Sequence, residues 1–445
     1  MKYFCVYDII ESGICPVLFF VWCIRRDRLK NLKLAAVCLS CLTMTGCSAL
    51  NFSVEGLINA PKLTSEQSEI HQALIESVGS NITLKYPKNG EYRSAYVIAN
   101  IDDEPTDEAM VFYEYTSNGS EEDGLRVNIL DKDEDGKWYS VKELAGAGTD
   151  IDQVIISPMG SNNQTDVFVG YQNLTNDEKT MEIYSYTDGD FKRVALDTYS
   201  VLEPLDINND GYIELITIQR STNNDTGAVT AKASMLNMKN NEITRGENVD
   251  MCDNVTSYVS SKTGMLDSGR RAIFIDGLTA DGKLQTEIIY YRYSGLQNPM
   301  QLRSEKLLPL CTRPAGYYSE DMDGDGDVEI PSTSPMVGYE NAVADEMLYM
   351  TTWSVYEDFY DLKTKYTGYY AISDGYFVTF PKRWNSSVTV KKDSDTNELV
   401  FYKYTGDINE SNEEIMRIAV SSKNDSEDYI CLLYTSPSPR DRTRS

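Results

Sequence analysis

Acidic side chains recur at a fixed spacing in two nine-residue segments, loop A (Asp206–Glu214) and loop B (Asp321–Glu329). Each has an oxygen-bearing side chain at positions one, three and five, a glycine at position six and a glutamate at position nine. Ca²⁺ takes roughly six to eight oxygen ligands, which alternating residues of a tight turn can supply. The spacing therefore predicts two calcium loops. Solvated acidic turns are the alternative, because Asp, Asn and Gly are common in turns of every kind.

The two loops belong to a longer repeat. Each leads into an apolar, strand-like stretch, and loop C (Asn100–Glu108) has the same spacing, with Pro105 in place of the glycine. Two weaker members without the acidic side chains end at Thr165–Val169 and Arg270–Ile275. Strand–turn–strand patterns follow, and the unit recurs roughly every 55 residues. An acidic strand followed by a hairpin at this period indicates the blades of a β-propeller.

The acidic loop and the strand after it resemble the FG-GAP or VCBS repeats of integrin-type β-propellers, over residues 86–345. The resemblance implies an all-β fold, with a propeller of about five to six blades and Ca²⁺ in loops at the blade rims. It also implies ligand sets. These are Asp206, Asn208, Asp210, Glu214 and the Tyr212 carbonyl for one ion; Asp321, Asp323, Asp325, Glu329 and the Asp327 carbonyl for a second; and Asn100, Asp102, Glu104 and Glu108 for a third.

The N-terminal region contains the zones of a bacterial lipoprotein signal peptide in their usual order. An apolar run, Leu34–Leu42, follows Lys30 and Lys33 and leads to a lipobox-like segment that ends at Cys47. We therefore expect a signal peptide over residues 29–47, cleavage before Cys47 and a diacylglycerol on its sulfur. Residues 1–28 then read as a mis-assigned start, and the run is too short for a membrane-spanning helix.

The C-terminal segment 431–445 differs in composition from the acidic chain before it, because three arginines lie close together among prolines and serines. Residues 431–441 resemble a translated sequencing adapter, although a natural disordered tail of this composition is the alternative. We therefore expect a gene that continues past Ile430. Residues 346–430, a run of short strand-like segments, would then be a truncated β-rich domain, all-β or α+β.

The remaining elements are few. A helix is predicted over Thr64–Val78, within a tether of residues 48–85. Cys252 and Cys311 are the cysteines of the predicted mature part. Two buried free thiols are the default for them and a disulfide the alternative. The chain has 69 acidic and 41 basic residues, for a formal charge of −28, which argues against nucleic acid as a partner.

Composition also bears on catalysis. The single histidine, His71, excludes a Ser/His/Asp triad and a histidine-rich metal site. We therefore expect a monomeric, non-catalytic surface protein, lipid-anchored outside the cytoplasmic membrane, that binds a glycan, a cell-wall component or another protein. A carbohydrate-active enzyme or accessory subunit using carboxylate acid/base chemistry is the alternative. An exposed pocket with two carboxylates that do not bind metal would favour the enzyme. A spacer that presents a further domain is the third reading.

Replacing the predicted lipid attachment site tests the membrane assignment. In a bacterial host, Cys47→Ala should leave the protein without its diacylglycerol and release it from the membrane fraction, because a single apolar run of this length does not span a bilayer. Membrane fractionation with immunoblotting measures the effect. A variant that still sediments with membranes would exclude the lipoprotein assignment.

Overall fold

The computed structural model describes residues 3–8, 63–102, 104–116, 124–159, 165–174, 178–187, 190–222, 225, 229–239, 242–343, 346–357, 361–410 and 413–421. Cys47 and residues 431–445 lie outside these ranges. The chain divides into two compact units, one of Met1–Ile9 with Ile70–Ser445 and one of Ile10–Glu69. Within the described residues, no helix has the length and apolarity needed to cross a membrane.

Six antiparallel sheets account for nearly all of the described strands, and the first three are built from strands consecutive in sequence. Sheet 1 contains β2 (Ile82–Leu84), β3 (Tyr96–Ala99), β4 (Glu108–Tyr115), β5 (Leu125–Lys132) and β6 (Trp138–Ala145); sheet 2 contains β7 (Asp150–Pro158), β8 (Thr165–Gln172), β9 (Lys179–Thr187) and β10 (Asp190–Tyr199); sheet 3 contains β11 (Val201–Leu205), β12 (Glu214–Thr222), β13 (Val229–Lys239) and β14 (Glu242–Met251).

The other three sheets continue this order, except that the first strand of the chain, β1 (Tyr3–Asp8), pairs with the last. Sheet 4 contains β15 (Val255–Met265), β16 (Arg271–Thr279), β17 (Lys283–Arg292), β18 (Gly295–Gln297) and β19 (Thr312–Pro314); sheet 5 contains β20 (Ile330–Pro335), β21 (Tyr349–Glu357), β22 (Asp361–Ala371) and β23 (Tyr376–Thr379); sheet 6 contains β24 (Val388–Lys392), β25 (Leu399–Lys403), β26 (Glu414–Ser421) and β1.

Among the described residues, helices are few and short. The main one is α1 (Ser65–Val78), and α2 (Pro299–Leu302) and α3 (Ser304–Cys311) lie between β18 and β19. The α1 N-terminus is capped reciprocally: the Gln67 N–H donates to Thr64 Oγ1 and the Thr64 N–H to Gln67 Oε1, both at 3.1 Å. Ile70 and Leu74 are buried against sheet 1. The predicted helix is confirmed.

Each sheet shares a hydrophobic core with the next one in sequence. Apolar residues of strands usually pack in this way when one sheet face covers another. Representative pairs are Val127 and Val169 for sheets 1 and 2, Phe168 and Leu215 for 2 and 3, Ile216 and Ile273 for 3 and 4, Phe274 and Ile330 for 4 and 5, and Tyr369 and Phe401 for 5 and 6. Among the described residues, no such core joins sheet 6 to sheet 1. The prediction of a mostly β fold is confirmed, with sheets that each pack against the next one in sequence.

The repeat unit matches the sheets. Loops C, A and B each lead directly into a strand, namely β4, β12 and β20, and the two weaker members lead into β8 and β16. β20 pairs with β21, so sheet 5 crosses residue 345, where the repeat region was expected to end. Cys252 and Cys311 are both free and buried in the core shared by sheets 4 and 5.

Candidate functional site: acidic loops and a carboxylate cavity

A buried glutamate closes each acidic loop at position nine. Glu108, Glu214 and Glu329 are at most 2% exposed. In each loop, one carboxylate oxygen accepts the backbone N–H of position two. The donors are Ile101, Ile207 and Met322, at 2.8, 3.1 and 2.8 Å. This bond ties position two of the loop to the glutamate at the start of the following strand (in loop B, the residue just before it) and leaves the second carboxylate oxygen for another contact.

In loop A, backbone amides surround the first carboxylate. Asp206 accepts the N–H groups of Asp210 (3.1 Å) and Gly211 (3.3 Å), and Gly211 has the positive φ of 94° that its position requires. The Asn208 amide donates to Asp210 (3.0 Å) and to the second oxygen of Glu214 (2.8 Å). The side chains predicted as ligands therefore converge. Tyr212 donates its N–H to Asp210 (2.9 Å).

Loop B has the same internal bonds and a more concentrated charge. Asp321 accepts the N–H groups of Gly324 (2.7 Å), Asp325 (3.2 Å) and Gly326 (2.9 Å), and Asp327 donates its N–H to Asp325 (3.0 Å). Carboxylate oxygens of Asp321, Asp323 and Asp325 lie within 4.8 Å of one another. No other group of three acidic, histidine or cysteine side chains in the described part of the chain meets this limit.

Loop C is the most divergent copy. The Asn100 amide donates to the backbone carbonyls of Glu104 (2.5 Å) and Thr106 (3.2 Å), and Asp102 accepts the Glu104 N–H (2.7 Å). Glu104 is exposed. The second oxygen of Glu108 is buried without a hydrogen-bond partner. The loop is therefore closed by its own amides, and one buried carboxylate oxygen has no donor.

Basic side chains from neighbouring strands contact loops A and B. Arg271, at the start of β16, lies 3.1 Å from a carboxylate oxygen of Asp206. Lys365, on β22, places its ammonium 2.7 Å from Asp325, 2.7 Å from Glu329 and 3.2 Å from Asp323. The sequence analysis missed both residues, which are distant from the loops along the chain. Each supplies a positive charge where the loop spacing predicts a cation.

Burial controls the protonation of the closing glutamates. It raises the pKa of Glu108 and of Glu214 from 4.5 to about 7, against the opposing effect of the backbone hydrogen bonds from Ile101 and Ile207. Burial also raises the pKa of Glu329, although the Lys365 hydrogen bond opposes this. A cation bound beside these carboxyl groups would lower their pKa, because a nearby positive charge favours the ionised form.

The oxygen donors fit Ca²⁺ in loops A and B. Hard carboxylate and amide oxygens are the ligands this ion prefers. In loop B the carboxylates of Asp321, Asp323 and Asp325 converge, and in loop A the Asn208 amide lies between the carboxylates of Asp210 and Glu214. In loop C the unpartnered Glu108 oxygen is one such donor, but the amide of Asn100 is turned to carbonyls. The donor chemistry therefore suits loops A and B better than loop C.

A second candidate site is a cavity of about 420 Å³ among the first strands of sheets 2, 3 and 4. Two carboxylates, Asp152 on β7 and Glu203 on β11, line it together with Lys179, Tyr258 and Ser261. An adjoining cavity of about 330 Å³ shares Gly90, Gln153 and Glu203 with it. The two carboxylates lie outside the acidic loops, so the predicted calcium ligands do not include them.

The environments of the two carboxylates displace their pKa values in opposite directions. Burial alone would raise the pKa of Asp152, but the Lys179 ammonium (2.9 Å) and the Tyr199 hydroxyl (2.7 Å) hold it below its usual value. Burial raises the pKa of Glu203, and the Ser261 hydroxyl and the Lys179 charge oppose it only in part. One group is therefore held ionised while the other tends to keep its proton.

Sequence reasoning missed Asp152 and Glu203, although a signal was present. Asp152 and Glu203 lie in β7 and β11, the first strands of two successive sheets, each next to a buried apolar residue (Ile151 and Leu202). A charged side chain in such a strand either has a partner or serves a function, because burying an unpaired charge is costly. Attention to the first strand of each unit, and not only to the acidic loops, would have found them.

No known family model and no curated protein matches the sequence. Among solved structures, the chain is similar to a rhamnogalacturonan lyase of Bacillus licheniformis at 9% identity and a TM-score of 0.30, covering 72% of this chain and 74% of that one. It is also similar to an α-L-arabinofuranosidase of Fusarium graminearum (10% identity, TM-score 0.28, 76% and 97%) and an endo-arabinase of Bacteroides thetaiotaomicron (11%, 0.21, 76% and 98%).

These findings correct one expectation. Each of the structures is that of a glycan-active enzyme, so the prediction of a chain that is not an enzyme is wrong. That prediction relied on the lack of histidines, which excludes triads but has no bearing on carboxylate chemistry. TM-scores of this size do not assign an activity, which has to be argued from the chain's own residues.

The raised carboxyl pKa values predict a pH dependence of stability in the metal-free protein. Glu108 and Glu214 titrate near 4.5 when unfolded and at about 7 when folded. The native state thus keeps protons that the unfolded chain has lost. This contribution is fully present below about pH 4.5 and disappears as the pH rises through about 7. Urea unfolding across this window should show a falling free energy of unfolding.

Replacing both residues by glutamine provides the control for this measurement. Glutamine cannot titrate, so the Glu108→Gln, Glu214→Gln protein should lose this part of the slope between the two pH limits. An unchanged slope in that protein would assign the pH dependence to other groups.

Proposed function

We propose that the chain is a carbohydrate-active enzyme that cleaves a glycosidic bond, with Glu203 and Asp152 as its acid/base carboxylates. The observation that carries the proposal is that these two groups line one cavity and have pKa values displaced in opposite directions. Enzymes that cleave glycosidic bonds commonly use one protonated and one ionised carboxyl group in this way.

Glu203 and Asp152 would have different roles in this reaction. Glu203 gives its proton to the glycosidic oxygen as the C–O bond breaks. Water then supplies the hydroxyl group that the sugar carbon gains, and the remaining proton of that water returns to the Glu203 carboxylate. Asp152 stays ionised and stabilises the positive charge that develops on the sugar ring. Lys179 and Tyr199 position Asp152 through their hydrogen bonds, and Ser261 positions Glu203.

The acidic loops would support this scaffold by binding Ca²⁺. Loops A and B are the proposed sites, with the ligand sets that the resemblance to FG-GAP or VCBS propeller repeats implies, including the carboxylate of each closing glutamate. Ca²⁺ supplies positive charge that offsets the repulsion among the loop carboxylates. Arg271 and Lys365 offset part of that repulsion already, and Lys365 would have to leave Asp325 and Glu329 when an ion binds loop B. Anchoring through Cys47 outside the cell would place the enzyme near extracellular glycans.

Substitution of the two carboxylates tests the proposed chemistry. Glu203→Gln removes the proton donor and Asp152→Asn the fixed negative charge, so each should lower the rate of glycan cleavage by roughly a hundredfold or more. The assay follows new reducing ends released from arabinan and from rhamnogalacturonan by the full chain.

The matched control is Glu91→Gln, which changes an exposed carboxylate at the adjoining cavity and should retain full activity. Thermal unfolding of each variant separates loss of chemistry from loss of fold. Cleavage that persists undiminished in Glu203→Gln, or a wild-type protein that cleaves neither polymer, would contradict the proposal.

Calcium binding predicts a ligand-dependent stability. A ligand present at 100 times its dissociation constant adds about 2.7 kcal/mol per site if only the folded state binds it. The melting temperature should therefore rise by several degrees between chelator and millimolar calcium. Asp210→Ala with Asp325→Ala should reduce that rise while changing the melting temperature in chelator much less. Equal destabilisation with and without calcium would show that these residues act only as turn formers.

A further inference from the structure

A third cavity, of about 460 Å³, lies at one end of sheet 5, between β19 of sheet 4 and the strands β25 and β26 of sheet 6. It shares no lining residue with the Asp152–Glu203 cavity. Its volume is within the range of small-molecule sites, roughly 300–1,000 Å³. Neither the acidic loops nor the proposed acid/base carboxylates give this cavity a role.

Tyrosine is concentrated in the walls of the cavity. Five of the eighteen lining residues are tyrosines, compared with 31 of 445 in the whole chain, and neither phenylalanine nor tryptophan is among them. The five are Tyr317, Tyr349, Tyr369, Tyr370 and Tyr376. Tyrosine combines an apolar ring with a hydroxyl group that can donate and accept a hydrogen bond. The cavity therefore suits a ligand that has apolar faces and hydroxyl groups together.

Strand pairing places two of these tyrosines side by side. β21 and β22 are antiparallel, with Thr351 opposite Gly368. Two residues farther along each strand, Tyr349 and Tyr370 are therefore opposite one another on the same face of sheet 5, because side chains alternate along a strand. Both residues are half-buried. This end of the sheet thus contributes two neighbouring rings, the tyrosine pair, to the cavity wall.

Other aromatic rings hold the tyrosine pair in place. The ring centre of the buried Tyr317 lies 6.3 Å from that of Tyr349, with an interplanar angle of 84°, and 5.9 Å from that of Tyr370. The Trp353 ring, which is 1% exposed, packs edge-on against Tyr370 at 5.7 Å. Contacts of this kind favour particular ring orientations. A ligand would therefore meet rings that are already ordered, which lowers the entropy cost of binding.

The hydroxyl groups of the tyrosine pair are available to a ligand. Within the described residues, neither the Tyr349 hydroxyl nor the Tyr370 hydroxyl has a hydrogen-bond partner. Burial raises the pKa of Tyr370, and the charge of Glu320 adds to this effect, so its hydroxyl keeps its proton and can donate it in a hydrogen bond.

The charge of the cavity differs from that of the chain. One lining residue, Asp374, is acidic and one, Lys392, is basic, so their formal charges cancel, whereas the whole chain has a formal charge of −28. A wall without net positive charge in so acidic a protein disfavours an anionic ligand. The walls also lack the group of carboxylates that would hold a cation. The balance of charge favours a neutral ligand.

We propose that this cavity binds a neutral pyranose saccharide, with the C–H face of a sugar ring against the tyrosine pair and sugar hydroxyl groups bonded to the tyrosine hydroxyls. A pyranose with equatorial hydroxyl groups carries only C–H groups on its faces, and aromatic rings pack well against such apolar surface. The site would hold a glycan without cleaving it, whether or not Glu203 and Asp152 act as catalysts.

Calorimetric titration of the full chain with cellotriose, whose glucose units carry equatorial hydroxyl groups, tests this site. Measurable binding is expected, with an affinity that does not change between low and high salt. Tyr349→Ala with Tyr370→Ala should lower the affinity by roughly tenfold or more, because two packing surfaces are lost. Tyr349→Phe with Tyr370→Phe keeps the rings and removes only the hydroxyl groups, so it should lower the affinity by roughly fivefold.

Tyr86→Ala is the matched control, since Tyr86 is 55% exposed, lies outside the cavity and should leave binding unchanged. Glu203→Gln should also bind cellotriose with unchanged affinity, which separates this site from the catalytic proposal. Thermal unfolding of each variant shows whether the fold is kept. No binding of cellotriose by the full chain, undiminished binding by the alanine or the phenylalanine pair, or binding that weakens steeply with salt would each overturn the proposal.

Discussion

The hydrogen bond from position two to the closing glutamate is the constraint on which the acidic loops depend. Because Glu108, Glu214 and Glu329 are buried at strand starts, each must satisfy its oxygens within the loop or from a neighbouring strand. One oxygen takes the backbone amide, which fixes the path of the loop over the sheet. The hydrogen-bond partner of the other oxygen differs among the loops. This oxygen has no partner in loop C, accepts from the Asn208 amide in loop A and accepts from the Lys365 ammonium in loop B.

This constraint explains why the same carboxylates can serve as turn formers and as ligands. Backbone amides of the loops donate hydrogen bonds to Asp206 and Asp321, so carboxylates that are proposed as calcium ligands also hold the turns together. The carboxylates of each loop also repel one another. A proton on Glu214, the guanidinium of Arg271, the ammonium of Lys365 or a divalent cation each reduces the same repulsion. Binding of a metal ion would therefore compete with protonation and with the protein's own cations.

The spacing of residues along the chain made part of the fold and of the candidate site predictable. The oxygen positions of loops A and B, the helix capped by Thr64 and the strands after each loop all depend on near neighbours in sequence, and the structure has them where expected. The role of Lys365 could not be predicted from the sequence, because its contact with loop B depends on the position of β22 in sheet 5. Asp152, Glu203 and Ser261 meet only because β7, β11 and β15 pack side by side, each from a different repeat unit.

In a chain with 69 acidic and 41 basic residues, the positions of the basic side chains show which carboxylates need a neutralising charge. Lys179 holds Asp152 ionised, Lys365 neutralises loop B, and Arg313 pairs with Asp276 in the interior, at 2.8 Å and with both residues at most 1% exposed. Each of these cations satisfies a buried or crowded carboxylate.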